Sequence, residues 1–240
     1  MRLAELSERS GVSTATIKYY LREGLLPPGR QVNARTAEYD EEHLRRLRLV
    51  RAMIHIGRIP VATVREVLGH ADDDSLGHTI RLGAALWALP QVPEPDQADE
   101  DEHVRSIRQE VDTVLEQLGW TNALALRTIS PSYRSLVVAL AAFRRLGYGE
   151  GAELLTPYAE TMHRWAVLDL DFVETHPSEV EQIEIAVLGA VLFEPALLAL
   201  HRLAQEEEAA RRYGWAGGHE ASGADRATRR QDVVPLRGDA

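Results

Sequence analysis

Apolar residues recur at helical spacing along the first seventy positions, in short stretches broken by turn formers. Leu3 and Leu6 fall on one side of residues 2–9, and Gly11-Val12-Ser13 then turns the chain, with Ser13 placed to cap a second helix. Over residues 14–23 Ile17 and Leu21 lie four apart and face inward, while Thr14, Lys18 and Arg22 share another face. Gly24 stops this second helix. Pro27-Pro28-Gly29 cannot continue a helix, and the alternation of Val32, Ala34 and Thr36 with Asn33 and Arg35 predicts a small β-hairpin within residues 25–40. Leu44, Leu47, Val50 and Ile54 predict a helix over 41–56 ended by Gly57, and Pro60 opens another that carries Val64, Val67 and Leu68.

Beyond residue 70 the period is helical throughout. Leu76, Ile80, Leu82, Leu86 and Leu89 predict a helix over 76–89. Residues 90–102 break it with three prolines and an acidic run, which predicts an exposed linker. Over 103–118, Val104, Ile107, Val111, Val114 and Leu118 step by three and four; barely two heptads suit ordinary core packing as well as a coiled coil. Further helices are expected over 122–129, 133–147, 151–174 and 178–214, the last opened by Ser178 with Glu181 three residues on and expected to kink at Pro195. Residues 216–240 have little apolar content and predict a disordered tail.

Charge changes the picture more than composition does. The whole chain carries −10, which argues against a nucleic-acid partner, yet residues 1–70 hold 12 Lys and Arg against 8 Asp and Glu, leaving the net negative charge on the rest. A basic head on an acidic body is the asymmetry of a DNA-binding domain joined to a domain with another task. The absence of cysteine excludes thiolate metal sites, disulfides and a cysteine nucleophile. With no signal-peptide core, and with Glu184, Glu194 and Pro195 in the most apolar stretch, a cytoplasmic chain without membrane contact is expected.

Residues 4–30, AELSERSGVSTATIKYYLREGLLPPGR, together with Tyr39-Asp40, Leu44, Leu47, Ile54-His55-Ile56-Gly57 and Ile59-Pro60-Val61 through Val67-Leu68, resemble the MerR family of regulators over residues 1–70. The resemblance implies a winged helix-turn-helix whose second helix enters the major groove, and activation by distortion of an over-long promoter spacer, with RNA polymerase as a candidate partner. Lys18 stands where the family has arginine, which keeps the charge but loses the bidentate fork. The wing tip Arg30-Gln31-Val32-Asn33-Ala34-Arg35-Thr36 also departs from the family's Gly-Tyr-Arg type. Pro90, Pro93 and Pro95 interrupt the place of the family's long dimerisation helix, which leaves simple repression open. Residues 140–147 and 189–198 instead resemble the ligand-binding domain of TetR-type regulators, implying that the last two helices pair with their twins in a dimer.

The expected fold is mainly α: a winged helix-turn-helix over 1–70, connecting helices over 71–119, an all-helical dimerisation and effector domain over 120–215, and the tail. Lys18 and Arg22 are candidates for phosphates or guanine edges, Thr14 and Thr16 for phosphates or a thymine methyl, and Ser13 joins them at the helix start. Tyr19 and Tyr20 offer hydroxyls on rigid rings, although one ring of such a pair commonly packs inward. Arg30, Asn33, Arg35 and Tyr39 belong to the first wing, and Arg58 precedes a helix N-terminus that favours phosphate. Phe143, Tyr158 and Trp165 are candidates to line a site for a small apolar effector. No HExxH, P-loop, GxSxG or GxGxxG is present, and His163, His176 and His201 have no partner four residues away, so neither an enzyme, a metal nor a cofactor is expected. The expected function is a homodimeric, sequence-specific DNA-binding regulator; the rivals are a DNA-architectural protein without effector and a ligand-sequestering protein with a vestigial head.

Overall fold

A computed structural model describes residues 1–33, 36–90, 101–147 and 152–214. The expected linker falls mostly on residues 91–100 and the expected tail on 216–240, both outside the described residues. The described chain is mainly helical: α1 (Leu3–Ser10), α2 (Thr14–Arg22), a β1 (Arg30–Asn33) and β2 (Thr36–Glu38) hairpin, α3 (Glu41–Arg51) running into a π-helical turn (Ala52–Ile56), α4 (Val61–Ala71), α5 (His78–Trp87), α6 (Glu102–Gln117), α7 (Thr121–Ala125), α8 (Pro131–Arg145), a 3₁₀ turn (Ala152–Leu155), α9 (Thr156–Glu174) and α10 (Glu179–Tyr213). It divides into two compact units, residues 1–195 and 196–240.

The head forms around Leu6, Ile17, Leu25, Leu44, Leu47, Val50, Val64 and Val67, which are fully buried in one core. Removing such side chains from water is the main stabilising term, about 1.5–3 kcal/mol each. α3 begins where the Asp40 carboxylate accepts the His43 backbone N–H at 3.1 Å and bonds the His43 ring at 2.6 Å. The His43 side-chain hydrogen bond, stronger than the opposing burial, holds the Asp40 carboxyl below its ordinary value. Arg9 pairs with Glu41 and so ties α1 to the start of α3.

Two features of this region escaped the periodicity. The helix expected over 41–56 changes to π geometry at Ala52, a rare widening that occurs preferentially at functional sites. In α5 the inward positions are Ala85 and Arg81, while Ile80 is exposed. Arg81 is drawn in because Ala71 ends α4 with a carbonyl that needs a donor, and both Nε and Nη2 of Arg81 supply one.

The apolar seam of α6 is resolved as core packing within the chain. Val104, Ile107, Val111 and Val114 bury against Tyr133, Val137 and Ala141 of α8. Arg144 donates to both Glu110 oxygens at 2.8 Å, and Tyr133 donates to Asp112 at 2.8 Å. The Asp101 carboxylate caps α6 by accepting the Val104 N–H at 2.9 Å.

α10 reaches the head core. Ile183, Val187 and Val191, four residues apart, pack in the same cluster as Leu44 and Val64. The sequence carries no local sign of this return. Pro195 lies inside the helix rather than ending it. By length and composition alone α10 is long and apolar enough to cross a membrane, with a mean hydropathy of 2.1 in its most apolar window. The second unit, described over 196–214, is the rest of this helix, where Arg211 and Arg212 donate to Glu208 and hold its carboxyl down to about 2.

Candidate nucleic-acid interface

The turn between α1 and α2 is built by short-range polar contacts around a left-handed residue. Gly11 has φ +65°, a conformation a side chain would disfavour. The Ser7 hydroxyl donates to the Val12 carbonyl at 2.6 Å, the Ser10 oxygen accepts the Val12 N–H at 3.2 Å, and Arg51 donates to the Ser10 carbonyl at 2.9 Å. Val12 is thereby held in the core. Ser13 then caps α2: its oxygen accepts the Thr16 N–H at 3.1 Å and bonds the Thr16 hydroxyl at 2.8 Å. Ser13 and Thr16 are thus committed first to each other and to the helix start. Ser13→Ala should cost about 1 kcal/mol of stability, read as a lower urea midpoint with an unchanged slope.

α2 divides cleanly by face. Ile17 and Tyr20 point into the core, while Thr14, Lys18, Tyr19 and Arg22 are exposed. Tyr19 is 36% exposed and Tyr20 only 3%. Burial pushes the Tyr20 phenol above its ordinary value, so it stays neutral. The Arg22 guanidinium lies 5.8 Å from the Tyr19 ring centroid, within reach of cation–π attraction, which pre-orders both side chains on the outer face.

Two of the candidate contact residues lie buried. Tyr20 and Tyr39 are core residues. Tyr39 packs edge-on against His43, and its backbone pairs with Met1, donating at 2.8 Å and accepting the terminal ammonium at 2.6 Å. These two support the interface from behind. Arg30 is exposed, but it pairs with Glu38 directly across the hairpin and so braces the first wing. Asn33 is exposed at the end of β1, and Arg35 lies outside the described residues. Gly29 allows β2 to approach, since a Cβ there would come within 2.8 Å of the Glu38 carbonyl.

Arg58 is exposed and is the one non-glycine residue with positive φ among the described residues, at +56°. On either side of it, Gly57 donates to the Ala52 carbonyl and Ile59 to the Met53 carbonyl, each at 2.9 Å. Arg65 of α4 donates to the Glu23 carbonyl at 2.7 Å and pairs with its carboxylate, fastening the second wing, the segment from Ile59 through Leu68, to the end of α2.

A cavity of about 290 Å³ opens between α2 and the π-helical turn, lined among others by Thr16, Tyr19, Tyr20, Arg51, Ile54 and His55. It brings Arg51 and His55 beside the exposed face, two residues the sequence reading did not single out. Their i, i+4 spacing within an expected helix was a signal that would have found them. Of the effector candidates, Phe143 and Tyr158 are exposed on α8 and α9 and Trp165 is half-buried; none lines this cavity. No group of three metal-ligating side chains is found among the described residues.

A helix-turn-helix followed by two wings, with a polar and basic outer face on its second helix, defines a winged DNA-binding head. Residues 1–70 match the family described as MerR HTH family regulatory protein. Among solved structures, the chain is similar to a protein of Streptomyces coelicolor A3(2), SCO5550, assigned as a transcriptional regulator: identity is 65%, coverage 91% of this chain and 100% of that one, and the TM-score 0.77. Among curated proteins, it is 32% identical over 57 residues to the HTH-type transcriptional regulator AdhR of Bacillus subtilis (strain 168). It is 36% identical over 50 residues to the HTH-type transcriptional regulator ZntR homolog of Haemophilus influenzae. These matches span 24% and 21% of this chain and only 41% and 37% of those relatives. Residues 1–70 are therefore a helix-turn-helix domain of the MerR family.

Proposed function

We propose that this protein is a sequence-specific DNA-binding transcriptional regulator that works as a homodimer under the control of a small apolar effector. The observation that carries the reading is the division of α2, which buries Ile17 and Tyr20 and presents Thr14, Lys18, Tyr19 and Arg22 together on its open side. In the major groove that face offers two cations for phosphates or guanine edges and a hydroxyl and methyl for thymine. Arg30, Asn33 and Arg35 of the first wing, and Arg58 before α4, extend the contact to the flanking backbone. Such a protein acts by binding and carries out no catalysis. Fluorescence anisotropy should show it preferring the DNA upstream of its own gene over random duplex, with affinity falling steeply as salt rises. Equal affinity for both duplexes would favour the architectural rival instead.

Dimerisation is read from apolar surface. On α9, Leu168 and Phe172 are exposed one turn apart, with Tyr158 and Met162 earlier on the same helix. On α10 only 17% of the most apolar window is buried. A patch of this kind on a DNA-binding chain fits a twin copy, in keeping with the TetR-type resemblance of residues 140–147 and 189–198, and a regulator of this kind would work in the cytoplasm beside the chromosome. Two heads on one dimer would read a near-palindromic operator, and an effector seated near Phe143, Tyr158 and Trp165 would shift their separation. Bound within a promoter, the dimer would face RNA polymerase. Leu168→Glu with Phe172→Glu should convert the dimer to monomer at micromolar concentration in analytical ultracentrifugation. An unchanged sedimentation coefficient would move the interface elsewhere.

A further inference from the structure

We propose that the first turns of α10, through Glu184 and Val191, are a positioning element for the second wing and set where Arg58 meets DNA. The inference rests on the DNA-binding reading above and adds a residue pathway to it.

Arg58 holds a left-handed conformation, which a non-glycine residue keeps only where its surroundings fix it. Part of that fixing comes from the head itself, through the hydrogen bonds of Gly57 and Ile59 to the π-helical turn. The remainder comes from α10. Gly57 has φ −70°, an angle open to any residue, so its backbone does not call for glycine. Space does: a Cβ on Gly57 would lie 2.6 Å from Cγ1 of Val191, its tightest neighbour, with the Met53 carbonyl oxygen at 3.0 Å and Cγ1 of Ile59 at 3.3 Å. The missing side chain lets α10 seat a methyl group against the residue just before Arg58.

Val191 is delivered there by a helix pinned along its preceding turns. Ile183 and Val187 sit in the head core on the same face. Between them Glu184, 5% exposed, accepts from Nε of Arg45 at 2.9 Å and forms an ion pair with Arg46, whose Nε lies 2.6 Å from its other oxygen. Glu181 pairs with Arg45 at 3.0 Å, and Glu179 with Arg81 at 3.3 Å. A buried carboxylate shared by two arginines of α3 fixes the rotation of α10, because any other rotation leaves charges buried without partners. A rotation or slide of α10 therefore moves Val191 against Gly57, and the adjoining Arg58 with it. Packed elements of this kind shift between discrete positions.

The test exchanges the side that supplies the methyl group, in the full chain, with Gly57→Ala, Val191→Ala and the double variant. Hydrogen exchange of residues 57–61 without DNA and anisotropy on the DNA upstream of the gene are read together. Gly57→Ala should speed exchange at 57–61 and weaken DNA binding about tenfold, and Val191→Ala should weaken it about threefold with a shallower salt slope. The double variant should return both readouts to within about threefold of wild type. A double variant no better than Gly57→Ala overturns the proposal, as does unchanged exchange and DNA binding in both single variants. Should Gly57→Ala fail to fold, Val191→Ala decides alone: faster exchange confined to 57–61 supports the proposal, and wild-type exchange there overturns it. If the wild-type chain binds no DNA, the DNA-binding reading falls, and the exchange pattern still decides the contact between α10 and the wing.

Discussion

Replacing Lys18 and Arg22 together by alanine should lower affinity for the DNA upstream of the protein's gene by about a hundredfold. Each lost contact to a phosphate or a base edge is worth about 1–3 kcal/mol, and every 1.4 kcal/mol is tenfold. Both side chains are exposed on α2 and neither supports the core, so the melting temperature should move by no more than about 2 °C. Alanine is in addition the best helix former, which keeps α2 intact. The slope of log affinity against log salt should become shallower by about one to two, because each neutralised phosphate contributes about 0.9. Anisotropy at several salt concentrations, beside circular dichroism of the same samples, measures all three. Unchanged affinity in a folded double variant would mean that α2 is not the reading helix. Removing the Arg22 guanidinium also frees Tyr19, so Arg22→Ala alone should cost more than Lys18→Ala alone.

The second large effect concerns stability. Glu184→Ala should lower it by about 3 kcal/mol, the low end of the cost of removing one partner from a buried ion pair. Arg46 is 7% exposed and would lose its Nε partner while keeping Asp72, whose exposed carboxylate moderates the loss. Arg45 is one-third exposed and retains Glu181, so it adds little. For a chain of this size the change corresponds to a fall of about 10 °C in melting temperature. Thermal unfolding followed by circular dichroism is the direct check. A shift below about 2 °C would show that α10 is not fastened to α3 as described.

Much of this fold was legible because its signals are local. Ser13 and Ser178 mark helix starts, and each accepts the backbone N–H three residues on. The steps from Val104 to Val114 bury as their spacing implied. The face of α2 was legible from the four-residue spacing of Thr14, Lys18 and Arg22. What spacing did not separate was Tyr19 from Tyr20, since adjacent residues differ by only about 100° around a helix and the position of the core decides which turns in. The burial of Arg81 was illegible for a different reason: an arginine on a helix has no inward signal unless the carbonyl it serves, that of Ala71, is known. The return of Ile183, Val187 and Val191 to the head was illegible, because helical periodicity says which face is buried and never against what. The hairpin was found, but the pairing of Arg30 with Glu38 depends on a bulge near Val32 that alternation alone does not report.

That return has a consequence for exchanging parts between regulators. The recognisable motif ends near residue 70, yet Arg46 and the groove beside Leu44 and Val64 are completed from more than a hundred residues downstream. A segment cut at the motif boundary would carry a half-neutralised arginine and an open apolar furrow on its flank. Grafting this head onto another body would therefore require rewriting Arg45, Arg46 and Gly57 to suit a new neighbour. The same three positions would have to change in step with α10 whenever the lineage altered its body, so the head is a replaceable module in its sequence pattern but not in its folding.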